Sequence, residues 1–161
     1  MSVTGALVIG IGASSGVTAA AVTEALSGLD GCFPGGPVVV RAVATIDRAA
    51  ESGQLRAGLR RHSRRWSFAA EGELPLLCYS AEALAGTIVL NPSDSVGERV
   101  GTPSVAEAAS LRAAAEIGDG TARMVLPKFV TAGVTLAAAN PTGSPTALRP
   151  VVPGRALRWL R

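Results

Sequence analysis

The chain opens on a short apolar run, GALVIGI at residues 5–11, which ends in glycine as a buried strand does. Residues 16–27 mix small apolar and polar positions, with Val17, Ala20, Ala21, Glu24 and Ala25 helical in character, and predict a helix. The breaker cluster DGCFPGGP at 30–37 predicts a loop, and the β-branched density of VVVRAVATI at 38–46 a second strand. Over residues 51–66 a helix is expected: Leu55, Leu59 and Trp66 can share a face, with His62 close to it. Arg56, Arg60, Arg61, Arg64 and Arg65 take the opposite face. LPLLCY at 74–79 reads as a third strand, and Ser80 opens a short helix with Glu82 in its first turn.

Residues 91–102 form a connector bearing Pro, Ser and Gly. A helix over 104–117 follows, announced by the S-x-x-E capping box of Ser104 and Glu107 and stopped by Gly-Asp-Gly at 118–120. Residues 122–129 and 133–139 predict two strands of a hairpin turning around Thr131-Ala132-Gly133. From Asn140 onward the prolines multiply and acidic residues cease, so residues 140–161 are expected to be an irregular basic tail, dispensable for folding. The order of elements predicts an α/β domain over 1–139, a three-layer α/β/α arrangement whose mixed sheet is mostly parallel with one antiparallel member.

Composition narrows the classes. With 161 residues and 48% hydrophobic content the chain can build one core, and at 4% aromatics that core must be made of Ala, Val, Leu and Ile. Cys32, Cys78 and a single histidine, His62, offer neither a disulfide framework nor zinc spacing, and no motif asks for a cofactor. The first basic residue is Arg41, so the apolar start lacks the basic region of a signal peptide. No apolar stretch is long enough for a membrane span, and a cytoplasmic protein is expected.

Three segments carry candidate chemistry. GIGASSG at 10–16 sits between a predicted strand and helix, where backbone N–H groups can meet an anion; equally, it can be a tight turn with Ser14 or Ser15 as helix cap. Its spacing is not the dinucleotide fingerprint. Short-chain dehydrogenases carry a similar ASSG turn, but their Tyr-x-x-x-Lys pair is absent: the sole tyrosine is Tyr79 and position 83 is Ala83. Thr45 and Asp47 follow the second strand, where ligands of open α/β sheets bind; Asp47 can act as a general base or cap the next helix. Thr102 and Ser104 offer hydroxyls at another helix start. Lys128, the only lysine, reads as solvent-exposed. The five arginines between Arg56 and Arg65 suit a polyanion or a polycarboxylate, or a solvated helix face; without an aromatic RNA-binding motif, nucleic acid is not expected.

Taken together and in order, GIGASSG with Thr18, ATID at 44–47, YSAEAL at 79–84, VGTPSVAEAASL at 100–111, and LPK at 126–128 before VTLA at 134–137 resemble the CobE/CbiG C-terminal family of cobalamin biosynthesis. The resemblance spans residues 5–139. It implies a role in making the corrin ring and, as partner, an anionic precorrin intermediate, with other corrin-pathway enzymes as further partners. The longer CbiG-type proteins are cobalt-precorrin-5A hydrolases that open a ring lactone and release acetaldehyde. A chain that begins at the shared domain is similar to the stand-alone CobE type. The family turn commonly carries Cys and basic residues where this chain has Ala13, Ser14 and Ser15, leaving hydroxyls and N–H groups to meet a carboxylate.

The expectation is therefore a binding protein for a corrinoid intermediate, whose site combines Gly10, Gly12, Ser14, Ser15, Thr45, Asp47, Thr102 and Ser104, with Arg60 or Arg64 adding longer-range attraction. A lactone hydrolase with Asp47 as base is the first alternative. A non-catalytic accessory to a precorrin methyltransferase is the second.

Overall fold

The computed structural model describes residues 6–34, 38–68, 74–86, 104–118, 120–141 and 155–160. In chain order these form β1 (Leu7–Ala13), α1 (Ala19–Asp30), β2 (Val39–Ile46), α2 (Asp47–Ala50), α3 (Gly53–Ser63), β3 (Ser67–Phe68), β4 (Leu74–Tyr79), α4 (Ala81–Ala85), α5 (Val105–Ile117), β5 (Ala122–Thr131), β6 (Val134–Pro141) and β7 (Arg155–Leu160). The sheet runs β5-β6-β1-β2-β4-β7, with β3 paired to β2. Its centre is parallel: β1 with β2, and β2 with both β3 and β4. Both flanks pair antiparallel: β6 and β7 run against the centre where one such strand was expected, and β5, antiparallel to β6, runs with it. The α/β fold and its mixed open sheet are as the alternation of elements predicts.

Alternation along β1 builds two cores. Leu7, Ile9 and Ile11 face α1 and α3, where they meet Val22, Leu26, Leu29, Leu55 and Leu59. Val8 faces the other side with Ala42, Ala44 and Ala139, against Ala108, Ala109, Ala113 and Ala114 of α5. One face thus holds branched side chains and the other alanines. The second face draws its helix close: a Cβ at Gly10 would overlap the carbonyl oxygen of Ala106 in α5, so the helix backbone rests on the strand itself.

Helix boundaries follow their caps. Ser104 accepts from the Glu107 N–H at 3.3 Å, starting α5 within a residue of the expected place, and Ser80 does the same for Ala83 at 3.1 Å. α1 begins three residues later than predicted, because Thr18 and neither Ser14 nor Ser15 is its cap. The helix expected over 51–66 is the shorter α3, capped by Ser52. At its far end His62 Nε2 lies 2.7 Å from Asp30 Oδ2, and Trp66 Nε1 donates to Asp30 Oδ1 at 2.8 Å, tying the ends of α1 and α3 together. Arg60, Arg61, Arg64 and Arg65 are exposed. The hairpin turns at Ala132 (φ 54°) and Gly133 (φ 76°), both left-handed as a two-residue turn between twisted strands requires. The connector at 91–102 lies outside the described residues.

The tail departs from expectation. Arg155–Leu160 is a strand paired with β4 over its whole length, Tyr79 opposite Arg155 and Leu74 opposite Leu160. The prolines before it hide this from composition, since an edge strand is specified by the neighbour it pairs with. Arg155 Nη1 donates to Glu116 Oε2 at 3.0 Å, and Tyr79 Oη donates to the same oxygen at 2.8 Å. The Arg155 side chain is 1% exposed and that of Glu116 15%.

Two outcomes follow from this network. Truncation after Pro141 uncovers the edge of β4 and breaks a mostly buried ion pair, a loss of about 3–5 kcal/mol on its own. The melting temperature should drop by more than about 6 °C at the 2–4 °C per kcal/mol of a chain this long; a shift within a degree or two would mean that β7 adds little. Tyr79 is the only tyrosine. Burial first, then the Glu116 carboxylate beside it, holds its phenol far above the ordinary value of 10.0. A folded-state value raised in this way contributes stability that is complete below pH 10 and is lost as pH rises, because the unfolded chain ionises first. Tyrosinate absorbance should therefore appear only together with alkaline loss of helix signal, in one step. A titration centred near pH 10 in protein that keeps its helices would show the phenol open to water.

Candidate functional site

β1 and β2 are parallel neighbours, so their carboxyl ends, Ala13 and Ile46, finish on the same edge of the sheet. The helices of both faces begin there: α3 at Ser52 on one side and α5 at Ser104 on the other. Between them opens a cleft of about 340 Å³, floored by Gly12 and Ala13, walled by Ile46 and Val105, and rimmed by Ser14, Ser15, Arg48 and Ser52. This is where ligands of open α/β sheets bind.

Of the residues singled out in the sequence, Gly12, Ser14 and Ser15 line the cleft. β1 runs on through Ala13, so Gly10 and Gly12 are strand residues, and the turn proper is Ser14–Val17, closed by the Val17 N–H donating to Ser14 O at 3.2 Å. Gly10 lies under α5, away from the cleft, and its role is close packing. A Cβ at Gly12 would meet Val105 at 3.6 Å and Thr135 at 3.9 Å, ordinary contacts, so this position tolerates a first side-chain carbon where Gly10 does not. Ser14 and Ser15 are exposed, line the cleft and do not cap α1.

Thr45 is fully buried, and its hydroxyl donates to the Ile11 carbonyl at 2.6 Å, latching β2 to β1 just beneath the cleft. It supports the floor and does not line it. Asp47 is the first residue of α2, exposed, outside the cleft lining and without a capping bond. Neither of its expected roles, cap or crevice base, matches this position. Ser104 is buried as the cap of α5. Thr102 lies outside the described residues. Arg60 and Arg64 belong to the other end of α3: at 1.5 Å per residue, Arg60 sits about 12 Å along the helix from Ser52.

Arg48 and Ser52 are the functional candidates that the sequence reading passed over. α2 is a single turn that reverses the chain after β2, so the residue following Asp47 comes back over the end of β1. The one available signal was a basic residue within two positions of the strand's carboxyl end. Arg48 is the only charged side chain in the lining formed by the described residues, and it forms no ion pair or hydrogen bond. His62, buried against Asp30 at the opposite end of α3, plays no part here. Among the described residues no helix is long and apolar enough to cross a membrane.

Comparison with known proteins gives the same frame. The chain is similar over 84% of its length to cobalamin biosynthesis protein chiG from Agrobacterium tumefaciens, covering 98% of that chain at 29% identity and a TM-score of 0.57. It shares its fold with CobE, a protein from the cobalamin (vitamin B12) biosynthetic pathway, at 24% identity and a TM-score of 0.59, over 86% of this chain and 92% of that one. No curated protein matches. The family model for cobalamin synthesis G C-terminus matches residues 7–139, from the first residue of β1 to the alanine of β6 opposite Val8, and the chain belongs to that family, acting in cobalamin biosynthesis.

Proposed function

We propose that this protein binds an anionic precorrin or corrinoid intermediate in the cleft at the carboxyl ends of β1 and β2. One observation carries the reading: the cleft is rimmed by exposed serine hydroxyls and a guanidinium, with no carboxylate in its described lining. Corrin intermediates are edged with carboxylates, and such a rim matches them in charge and in hydrogen-bonding sense. Val17, Ile46 and Val105 supply the apolar wall that a ring face needs. Hydrolysis of the ring lactone is the alternative that the family brings, and it requires a general base within reach of the attacked carbonyl. The exposure of Asp47 outside the cleft lining weighs for binding over hydrolysis.

The test uses Gly12, a cleft-lining strand position where a first side-chain carbon fits without collision. Gly12→Val should keep the melting curve and weaken the spectral response of the bound tetrapyrrole at least tenfold, about 1.4 kcal/mol or more. Asp47→Asn should bind as the parent protein does. Normal binding by Gly12→Val places the ligand elsewhere. Acetaldehyde release that stops in Asp47→Asn while binding persists would establish the hydrolase instead.

A further inference from the structure

We infer that the cleft admits one carboxylate side arm of its ligand, gripped by Arg48, while the body of the ligand stays outside. The inference rests on the proposed reading for the ligand's class, but Arg48's preference for a carboxylate is independent of it. Volume is the first argument. About 340 Å³ lies near the bottom of the roughly 300–1,000 Å³ range of pockets for drug-sized molecules, and a tetrapyrrole with its side arms exceeds what that end of the range encloses.

The second argument is the source of positive charge. Helix N-termini supply part of it, but side chains already take first-turn N–H groups of α1, α3 and α5, the last through Ser104 Oγ, which accepts from the Glu107 N–H at 3.3 Å. In α1 the Ala19 N–H donates to Gln54 Oε1 at 2.9 Å and the Ala21 N–H to Thr18 Oγ1 at 3.1 Å. In α3 the Leu55 N–H donates to Ser52 Oγ at 3.2 Å. α2, a single turn, carries no useful dipole. The full positive charge in the described lining is Arg48, which is exposed and unpaired and presents the planar fork that meets both oxygens of a carboxylate. Ser15 and Ser52 line the same cleft, and their hydroxyls can donate to the lone pairs that the guanidinium leaves.

Glutarate, a free carboxylate arm, is the direct probe, with neutral glutaramide as control, and the readout is the amide chemical shifts of Ser15, Arg48 and Ser52. In the parent protein glutarate should shift these signals saturably at millimolar concentration and glutaramide should not. Arg48→Ala should abolish the response with an unchanged melting curve, Arg48→Lys should retain part of it, and Arg60→Glu should leave it intact. In parallel, Arg48→Ala should weaken binding of a tetrapyrrole octa-acid such as uroporphyrin about tenfold. An equal response to glutaramide, or an undiminished one in Arg48→Ala, overturns the inference, as does the absence of any response to glutarate. The two readings fail separately. Tetrapyrrole binding that is lost in Gly12→Val but indifferent to Arg48 removes only the side-arm inference. A glutarate response without tetrapyrrole binding removes only the proposed ligand class.

Discussion

The contact on which this architecture turns is the one between α5 and the bare backbone of β1 at Gly10. Ala106 carries its carbonyl oxygen into the space that any side chain at that position would fill. The helix is therefore seated on the strand, with Ala108, Ala109, Ala113 and Ala114 meeting a sheet face of alanines. A helix so close to the sheet brings Val105 over Gly12, and that pair sets one wall and the floor of the cleft. Had the face been built from branched side chains, as much of the opposite one is, the helix would stand further off and the cleft would lose its wall.

The cleft and the polar networks that hold the fold together use different side chains. The arginine-rich end of α3, the buried His62 and the Asp30 carboxylate that accepts from both His62 and Trp66 close the far end of the first layer. At the β4 side, Tyr79, Glu116 and Arg155 join a central strand, a helix and the last strand through one carboxylate. Arg112 adds a second cation, donating to Glu116 Oε1 at 3.3 Å and to the Ala83 carbonyl at 3.3 Å. These networks use most of the conspicuous polar residues of the described chain for construction. What they leave at the sheet's carboxyl edge is Arg48, together with the exposed Ser14 and Ser15.

Local signals were legible in the sequence wherever the determining partner lies within a few residues. The Ser104–Glu107 box placed α5 to within one residue, and Ala132-Gly133 placed the hairpin turn. Signals that depend on distant partners were not legible. The strand expected to end at Ile11 runs on through Gly12 and Ala13, because β6 pairs with it as far as Ala13. Thr45 looks like a ligand-facing hydroxyl, but the Ile11 carbonyl next to it claims its proton. The prolines around residues 141–153 concealed β7, whose specification resides in the open edge of β4. Arg48 escaped notice because one turn of helix, invisible to periodicity, decides which way it faces.

The account ties the cleft to the seating of α5 on β1, and paired substitution of the two strand glycines tests that tie most directly. Alanine at Gly10 must displace the helix backbone, whereas alanine at Gly12 meets only ordinary contacts. The measurement is the thermal unfolding of Gly10→Ala and Gly12→Ala against the parent chain. The account predicts that Gly12→Ala melts within about 2 °C of the parent, and that Gly10→Ala loses about 2–3 kcal/mol, the upper part of the range for an overpacked core, or about 4–12 °C. Equal melting temperatures for the two variants would contradict it.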